Sequence, residues 1–185
     1  MGGATLKPLN IALLTVSDSR GPDQDTSGQY LEDQSLAAGH RIVARRILPD
    51  DIYLIRALVA GWVAEPEVHV VLITGGTGFS ERDSTPEAVI PLFDKSIEGF
   101  GQEFRRLSVD DVGSSTIQSR AFGGLSNHTV IFCLPGSTGA CRTGWEGILL
   151  EQLDSRHQPC NFAGLVLRKP HKPVERLHQK VGDHG

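Results

Sequence analysis

The segment from Val68 to Ala88 constrains the fold most strongly, because it combines an apolar run, a glycine loop, a carboxylate and a helix start. Its β-branched beginning, residues 68–74, is typical of a strand covered on both faces, as in a parallel sheet. The glycines that follow, Gly75, Gly76 and Gly78, let the backbone bend sharply and present unpaired N–H groups in a concave nest. Such a nest suits a phosphate or carboxylate group.

A helix is predicted to begin directly after this loop. Ser84 or Thr85 can cap it, and Pro86 fits its first turn. Glu87 follows Ser84 by three residues, which is the spacing of a capping box. Asp83 is therefore expected immediately before a helix N-terminus.

The glycine loop differs from the two common nucleotide-binding motifs. No lysine follows Gly78, so the loop is not a Walker A motif. Glu81 stands where the dinucleotide fingerprint requires its third glycine. Two interpretations remain at this point: an anion-binding nest, or a tight strand-to-helix turn whose glycines serve geometry alone.

Composition excludes several classes of protein. With 185 residues, the chain has the usual size of one domain with its own core. Its net charge of −4 argues against nucleic-acid binding, which needs a clustered basic face. Cys133, Cys141 and Cys160 lack metal-ligand spacing, and no apolar run is long enough to span a bilayer. We therefore expect a cytoplasmic protein with no membrane partner.

Apolar runs alternate with segments of helical periodicity along the chain. Thr26 with Gln29 is the predicted cap of the first helix, and Gly39 is the predicted end of that helix. This alternation indicates an α/β fold, with three α/β/α layers around a mostly parallel sheet. The predicted strands are 10–16, 40–48, 68–74 and 129–134, and the predicted helices are 26–38, 52–63, 86–95, 100–107 and 143–153.

The predicted domain organisation is simple. Residues 1–8 form a short N-terminal stub, 9–154 form the α/β domain, and 155–185 form an extension that is partly docked or flexible. The extension contains several prolines, and its histidines lack metal-ligand spacing, which favours solvated tail residues. Those histidines are His157, His171, His178 and His184.

Loops that follow parallel strands meet at one edge of the sheet, where ligands of such folds bind. Four loops of this chain are expected there. Their polar and glycine residues would bring carboxylates and anion-binding backbone together. They carry Ser17, Asp18 and Arg20; Asp50 and Asp51; residues 75–83; and residues 136–142.

These motifs together resemble the MoaB branch of the MoaB/Mog molybdopterin-binding family. The resemblance implies a parallel α/β domain, association into homotrimers or homohexamers, and molybdopterin and a nucleotide as ligands. The second glycine loop has the form found in the MoaB branch. The matching segments are 13–20, 25–28, 49–51, 74–78, 82–87, 99–101, 119–120 and 134–142.

The resemblance also implies roles for individual residues. Residues 75–78 would hold the terminal phosphate of molybdopterin, and Ser119 would contact the pterin side. Asp50 and Asp83 match the acidic positions that serve Mg²⁺-dependent adenylyl transfer from ATP in active relatives, and they are the predicted catalytic and metal residues. The predicted ligand-binding set is Ser17, Asp18, Thr74, Gly75, Gly76, Thr77, Gly78, Ser119, Pro135, Gly136, Ser137 and Gly139.

The motifs and the resemblance together leave three candidate functions. The leading one is a nucleotidyltransferase of molybdenum cofactor synthesis that uses ATP and Mg²⁺. The second is a non-catalytic protein that binds molybdopterin and a nucleotide such as GTP. A dinucleotide-dependent oxidoreductase is disfavoured, because the glycine loop follows the third predicted strand and not the first.

Overall fold

A six-stranded sheet forms the centre of the structure, a computed structural model that describes residues 5–167. The strand order is β2-β1-β3-β6-β5-β4, and the first four strands in that order are parallel. The last two, β5 and β4, are antiparallel to their neighbours. The strands are Asn10–Val16 (β1), Arg41–Leu48 (β2), Val70–Thr74 (β3), Lys95–Ser96 (β4), Phe122–Ser126 (β5) and Thr129–Leu134 (β6).

Helices cover both faces of the sheet. One face packs against α1, α4, α5 and α7, and the other packs against α2 and α3. The prediction of a three-layer α/β/α fold with a mostly parallel sheet is confirmed. The helices are Thr26–Ala37 (α1), Ile52–Ala64 (α2), Thr85–Val89 (α3), Glu98–Val112 (α4), Thr138–Gly144 (α5), Leu150–Gln152 (α6) and Phe162–Val166 (α7).

The three strands β1, β3 and β6 lie at the middle of the molecule, and every residue in them is buried. Their registers place Leu13 beside Leu72, and Leu72 beside Phe132. Burial of large apolar side chains on both faces stabilises such strands by roughly 1.5–3 kcal/mol per side chain. This packing fixes the sheet edge from which the functional loops emerge.

The antiparallel edge was not predicted, and its glycines explain why. β5 contains Gly123 and Gly124, which have low strand propensity. A Cβ on Gly124 would overlap the ring of Phe93, so the glycine is needed where this ring crosses the strand. Tertiary packing therefore determines that β5 forms a strand, and the local sequence pattern does not reveal this strand.

Two predicted helix caps are corrected. Asp25, and not Thr26, caps α1, because its carboxylate accepts the amide of Gly28 at 2.9 Å. The capping box at α3 does not form, since the Ser84 hydroxyl donates to Asp50 and the Glu87 carboxylate pairs with an arginine.

Three helix boundaries also differ from the prediction. The predicted helix over 86–95 ends as α3 at Val89 and continues only as a short 3-10 turn over Ile90–Leu92, where Pro91 cannot donate a backbone hydrogen bond. The helix predicted over 100–107 extends instead from Glu98 to Val112. The last predicted helix begins earlier, at Thr138, and passes through a π-helical turn.

The start of the predicted C-terminal extension packs on the domain. The Phe162 ring meets the Phe132 ring edge-on at 5.6 Å, and Ala163 and Val166 are buried. His171, His178 and His184 of the predicted tail lie outside the described residues. Within residues 5–167, no helix has both the length and the apolar character required to cross a membrane.

Candidate functional site

A cavity of about 760 Å³ opens at the carboxyl edge of the sheet. The loops after β1, β3 and β6 form one side, and α4 with the turn that follows it forms the other. Most of the predicted ligand-binding residues lie in its wall. These are Ser17, Gly75, Gly76, Thr77, Gly78, Ser119, Pro135, Gly136, Ser137 and Gly139, together with Asp83.

Two residues of the first glycine loop require glycine for different reasons. Gly75 has φ +103°, and a Cβ there would overlap the carbonyl oxygen of Val16 on the neighbouring strand. Gly76 has φ +65°, and a Cβ there would overlap Thr85 Oγ1 and lie 2.5 Å from Asp50 Oδ2. The loop therefore crosses the sheet edge in a conformation that side chains disfavour.

The carbonyl groups of residues 75–78 all accept hydrogen bonds from outside the loop. Thr85 donates to the first two, through its hydroxyl at 2.9 Å and its amide at 2.9 Å. Arg120 donates to the last two, through its amide at 3.3 Å and its Nε at 2.8 Å. By contrast, the amides of Gly76 and Thr77 donate to no group within residues 5–167. Such amides are suited to bind an anion.

The second glycine loop touches the first. A Cβ on Gly136 would lie 3.2 Å from Gly75 Cα, and Arg20 Nη1 donates to the Gly136 carbonyl at 2.7 Å. Ser137 caps α5, because its Oγ accepts the amide of Ala140 at 3.1 Å. The cavity is thus bounded by two adjacent backbone segments, and the second of them opens α5, a setting that favours negatively charged groups.

Asp83 lies in the cavity wall beside the first glycine loop. Its Oδ2 accepts the amide of Ser80 at 2.8 Å and would lie 2.7 Å from a Cβ on Gly78. Partial burial acts to raise the pKa of Asp83, but hydrogen bonds from Ser80 and Gly78 and the charge of Arg120 outweigh it. The pKa therefore lies below its usual value, and the side chain is a carboxylate at neutral pH.

Asp50 lies behind the same loop and does not line the cavity. Its Oδ1 accepts the Ser84 amide at 3.0 Å and also accepts the Ser84 hydroxyl. Its Oδ2 points toward Gly76 and accepts no hydrogen bond from the described part of the chain. Asp50 and Asp83 consequently both adjoin the loop, one behind it and one at its end.

Two further predicted ligand residues have internal partners and lie outside the cavity wall. Asp18 Oδ1 accepts the Asp50 amide at 3.0 Å and Arg82 Nη2 at 2.6 Å, and the bond to Arg82 is the main reason that the pKa of Asp18 is lowered. Thr74 is buried, and its hydroxyl donates to the Pro135 carbonyl at 3.0 Å. Both residues brace the loops of the cavity.

The opposite wall of the cavity was missed at the sequence level. It includes Phe104, Ser108, Asp111 and Val112, which lie on one face of α4. Thr143 adds to this wall, and its hydroxyl donates to Asp111 Oδ2 at 3.1 Å. The helical spacing of these residues was the available signal, but their mixed polarity made residues 108–115 resemble a polar linker.

The carboxylates fit a Mg²⁺ ion only if a ligand completes its coordination. No group of three or more histidine, cysteine, aspartate or glutamate residues in the described part of the chain is arranged to hold a metal. Mg²⁺ is, however, commonly held by one or two carboxylates together with substrate phosphates. The free Oδ2 of Asp50 and the nearby Asp83 carboxylate provide that donor type beside the anion nest.

Comparisons with known proteins agree with these observations. A family model described as "Probable molybdopterin binding domain" matches residues 12–155. The chain is 56% identical over 155 residues to "Molybdenum cofactor biosynthesis protein B" of Escherichia coli strain K12, covering 84% of this chain and 91% of that protein. A crystal structure of Molybdenum cofactor biosynthesis protein B has a TM-score of 0.78 at 40% identity, covering 81% of this chain and 94% of that one. The structure of the tungsten cofactor synthesizing protein MoaB from Pyrococcus furiosus has a TM-score of 0.69 at 38% identity, covering 78% and 92%.

Proposed function

Because this chain belongs to the MoaB/Mog family of molybdenum cofactor biosynthesis proteins, we propose that its cavity binds molybdopterin through the terminal phosphate and supports adenylyl transfer from ATP. The observation that carries this proposal is the arrangement of residues 75–78. Their carbonyls are all paired outside the loop, while the amides of Gly76 and Thr77 are left for a ligand. A phosphate group is the ligand that such amides accept best.

The proposed reaction joins two anionic groups. An oxygen of the molybdopterin phosphate attacks the α-phosphorus of ATP, a new P–O bond forms, and the bond to the β-phosphate breaks to release pyrophosphate. The amides of Gly76 and Thr77 orient the attacking phosphate. Asp50 and Asp83 would hold Mg²⁺, which when bound supplies positive charge that offsets the repulsion between the phosphates.

In this proposal the nucleotide binds beside the second glycine loop. Ser137 and Gly139 lie in the cavity wall at the start of α5, next to the first loop. Free amides in the first turn of a helix favour a phosphate group. We assign the nucleotide phosphates to this side of the cavity, with ATP as the substrate of the transfer and GTP as the alternative ligand.

A second candidate function is binding without turnover. It is favoured by the position of Asp50, which lies outside the cavity wall with Oδ1 engaged by Ser84. If this carboxylate remains behind the loop, only Asp83 can face a metal ion in the cavity. The protein would then bind molybdopterin, and a nucleotide such as GTP, as a carrier.

One experiment separates these two functions. Purified protein is incubated with molybdopterin, ATP and Mg²⁺ beside an active Mog-type relative, and pyrophosphate and adenylylated pterin are measured. Release of both products supports the transferase. Saturable molybdopterin binding without either product supports the carrier, and absence of binding refutes both.

We further propose that the protein acts in the cytoplasm as a homotrimer or homohexamer. The motifs that resemble the MoaB/Mog family support this assembly, and the exposed apolar side chains of Val109 and Ile117 are available to a second copy. Light scattering of the purified protein tests it. A monomer at micromolar concentration would refute the proposal.

A further inference from the structure

The Arg120 side chain joins the end of the first glycine loop to α3 by four contacts. Its Nε donates to the Gly78 carbonyl at 2.8 Å, and its Nη2 donates to the Asp83 carbonyl at 2.7 Å. Its Nη1 pairs with the Glu87 carboxylate, and its guanidinium lies over the Phe79 ring at 5.2 Å from the centroid. The side chain thus spans the loop from the end of the nest to the start of α3.

We propose that Arg120 is the positioning residue that holds the glycine loop in its ligand-accepting form, an inference that rests on the proposed function for the identity of the ligand. Two of its contacts hold the carbonyl oxygens of Gly78 and Asp83. Thr85 holds the carbonyls that precede the Gly76 and Thr77 amides, so Arg120 restrains the opposite end of the same loop. With its guanidinium in place, the Gly78 carbonyl oxygen, which would repel a phosphate, stays paired with a donor that does not line the cavity.

The planar geometry of the guanidinium suits this set of contacts. Its planar fork donates to two carbonyls and to a carboxylate at the same time, whereas the compact ammonium of lysine does not present donors in a fixed fork. One of these carbonyls belongs to Asp83 itself, so Arg120 also restrains the backbone that carries this carboxylate. Arg120 does not line the cavity and is not assigned a contact with the ligand.

Arg56 offers a matched control on the other side of α3. Its Nε donates to the Ala88 carbonyl at 3.1 Å, and its Nη2 donates to the Glu87 carbonyl at 2.7 Å. It makes the same type of double contact as Arg120 but touches neither the glycine loop nor the cavity. R56A therefore measures the cost of losing an arginine that binds two carbonyls away from the site.

The test compares R120A, R120K and R56A by amide hydrogen exchange of the ligand-free protein. The amides of Ser80 and Asp83 report the loop, because both are hydrogen-bonded within it. Loss of a charge-assisted hydrogen bond corresponds to roughly tenfold or more in a local opening constant, so R120A should accelerate exchange at Ser80 by about tenfold or more. R56A should leave both rates unchanged.

Molybdopterin binding and chemical rescue complete the experiment. R120A should weaken molybdopterin binding by about tenfold or more, and millimolar methylguanidinium should restore part of the binding in R120A but not alter the wild type. R120K retains the positive charge opposite Glu87 but loses the planar fork of donors. If R120A does not fold, the exchange and binding measurements are made on R120K in its place.

Unchanged exchange at Ser80 and Asp83 in R120A or R120K, or equal acceleration in R56A, would overturn the role of Arg120. Failure of the wild type to bind molybdopterin would instead refute the proposed function. The exchange comparison still decides whether Arg120 orders the loop in that case, because it is made without ligand.

Discussion

Replacement of Gly76 by alanine should destabilise the protein and remove molybdopterin binding together. The added Cβ would overlap Thr85 Oγ1 and lie 2.5 Å from Asp50 Oδ2, at a residue with φ +65°. The left-handed backbone conformation costs alanine about 1–2 kcal/mol. Displacement of Thr85 from the Gly75 carbonyl adds about 1 kcal/mol for the lost hydrogen bond. We therefore expect G76A to lower the free energy of unfolding by about 2–3 kcal/mol.

Gly61 provides the control for this substitution. It lies within α2, and no atom is within 4 Å of the position that its Cβ would occupy. G61A should raise the free energy of unfolding by about 0.5–1 kcal/mol, because alanine is favoured over glycine inside a helix. Urea denaturation of both variants at one protein concentration measures the difference. If G76A is as stable as G61A and still binds molybdopterin, the described loop geometry is wrong.

Three further predictions concern single side chains. D83N should retain molybdopterin binding and lose pyrophosphate release, because the substitution removes charge and keeps shape; equal loss of both would refute the catalytic role of Asp83. D25N should lower the free energy of unfolding by about 2 kcal/mol, since the buried Asp25 carboxylate accepts Arg45 Nη2 at 3.0 Å. Burial acts to raise the pKa of Asp25, but its hydrogen bonds outweigh burial and lower that pKa in the folded protein. The carboxylate therefore contributes its full stabilisation above the pKa of aspartate in the unfolded chain, about 3.9. This stabilisation is lost as the pH falls through the lower pKa of Asp25 in the folded protein. Acid titrations of unfolding should therefore show a smaller loss of stability below about pH 4 in D25N, and parallel curves would contradict this. Native protein should react rapidly with a thiol reagent at Cys160 alone, because the other two thiols are buried and burial raises the pKa of both; rapid labelling of all three would contradict the packing around β6 and α5.

The central architecture could be predicted because its strands are buried on both faces. Continuous apolar runs at 10–16, 70–74 and 129–134 leave little choice of structure, and glycines after two of them mark the functional edge. The convergence of the loops after β1, β2, β3 and β6 then follows from parallel pairing alone. Gly76 and Asp50, from two of these loops, are adjacent in the structure.

The details that were missed depend on contacts distant in sequence. Asp25 caps α1 because Arg45 and Thr15 also bind its carboxylate, and neither contact has a local signature. Ser84 binds Asp50 in place of completing a capping box with Glu87, because the loop brings that carboxylate within reach of its hydroxyl. Local motifs therefore identify which residues are polar and clustered, while their partners are selected by the tertiary fold.

The most direct test of the central claim is an experimental structure of the protein with molybdopterin and a nucleotide bound. We expect the terminal phosphate of molybdopterin within hydrogen-bonding distance of the Gly76 and Thr77 amides, with the Asp83 carboxylate on the side of the nucleotide phosphates. A molybdopterin phosphate bound away from residues 75–78 would contradict the claim that this loop is the anion site.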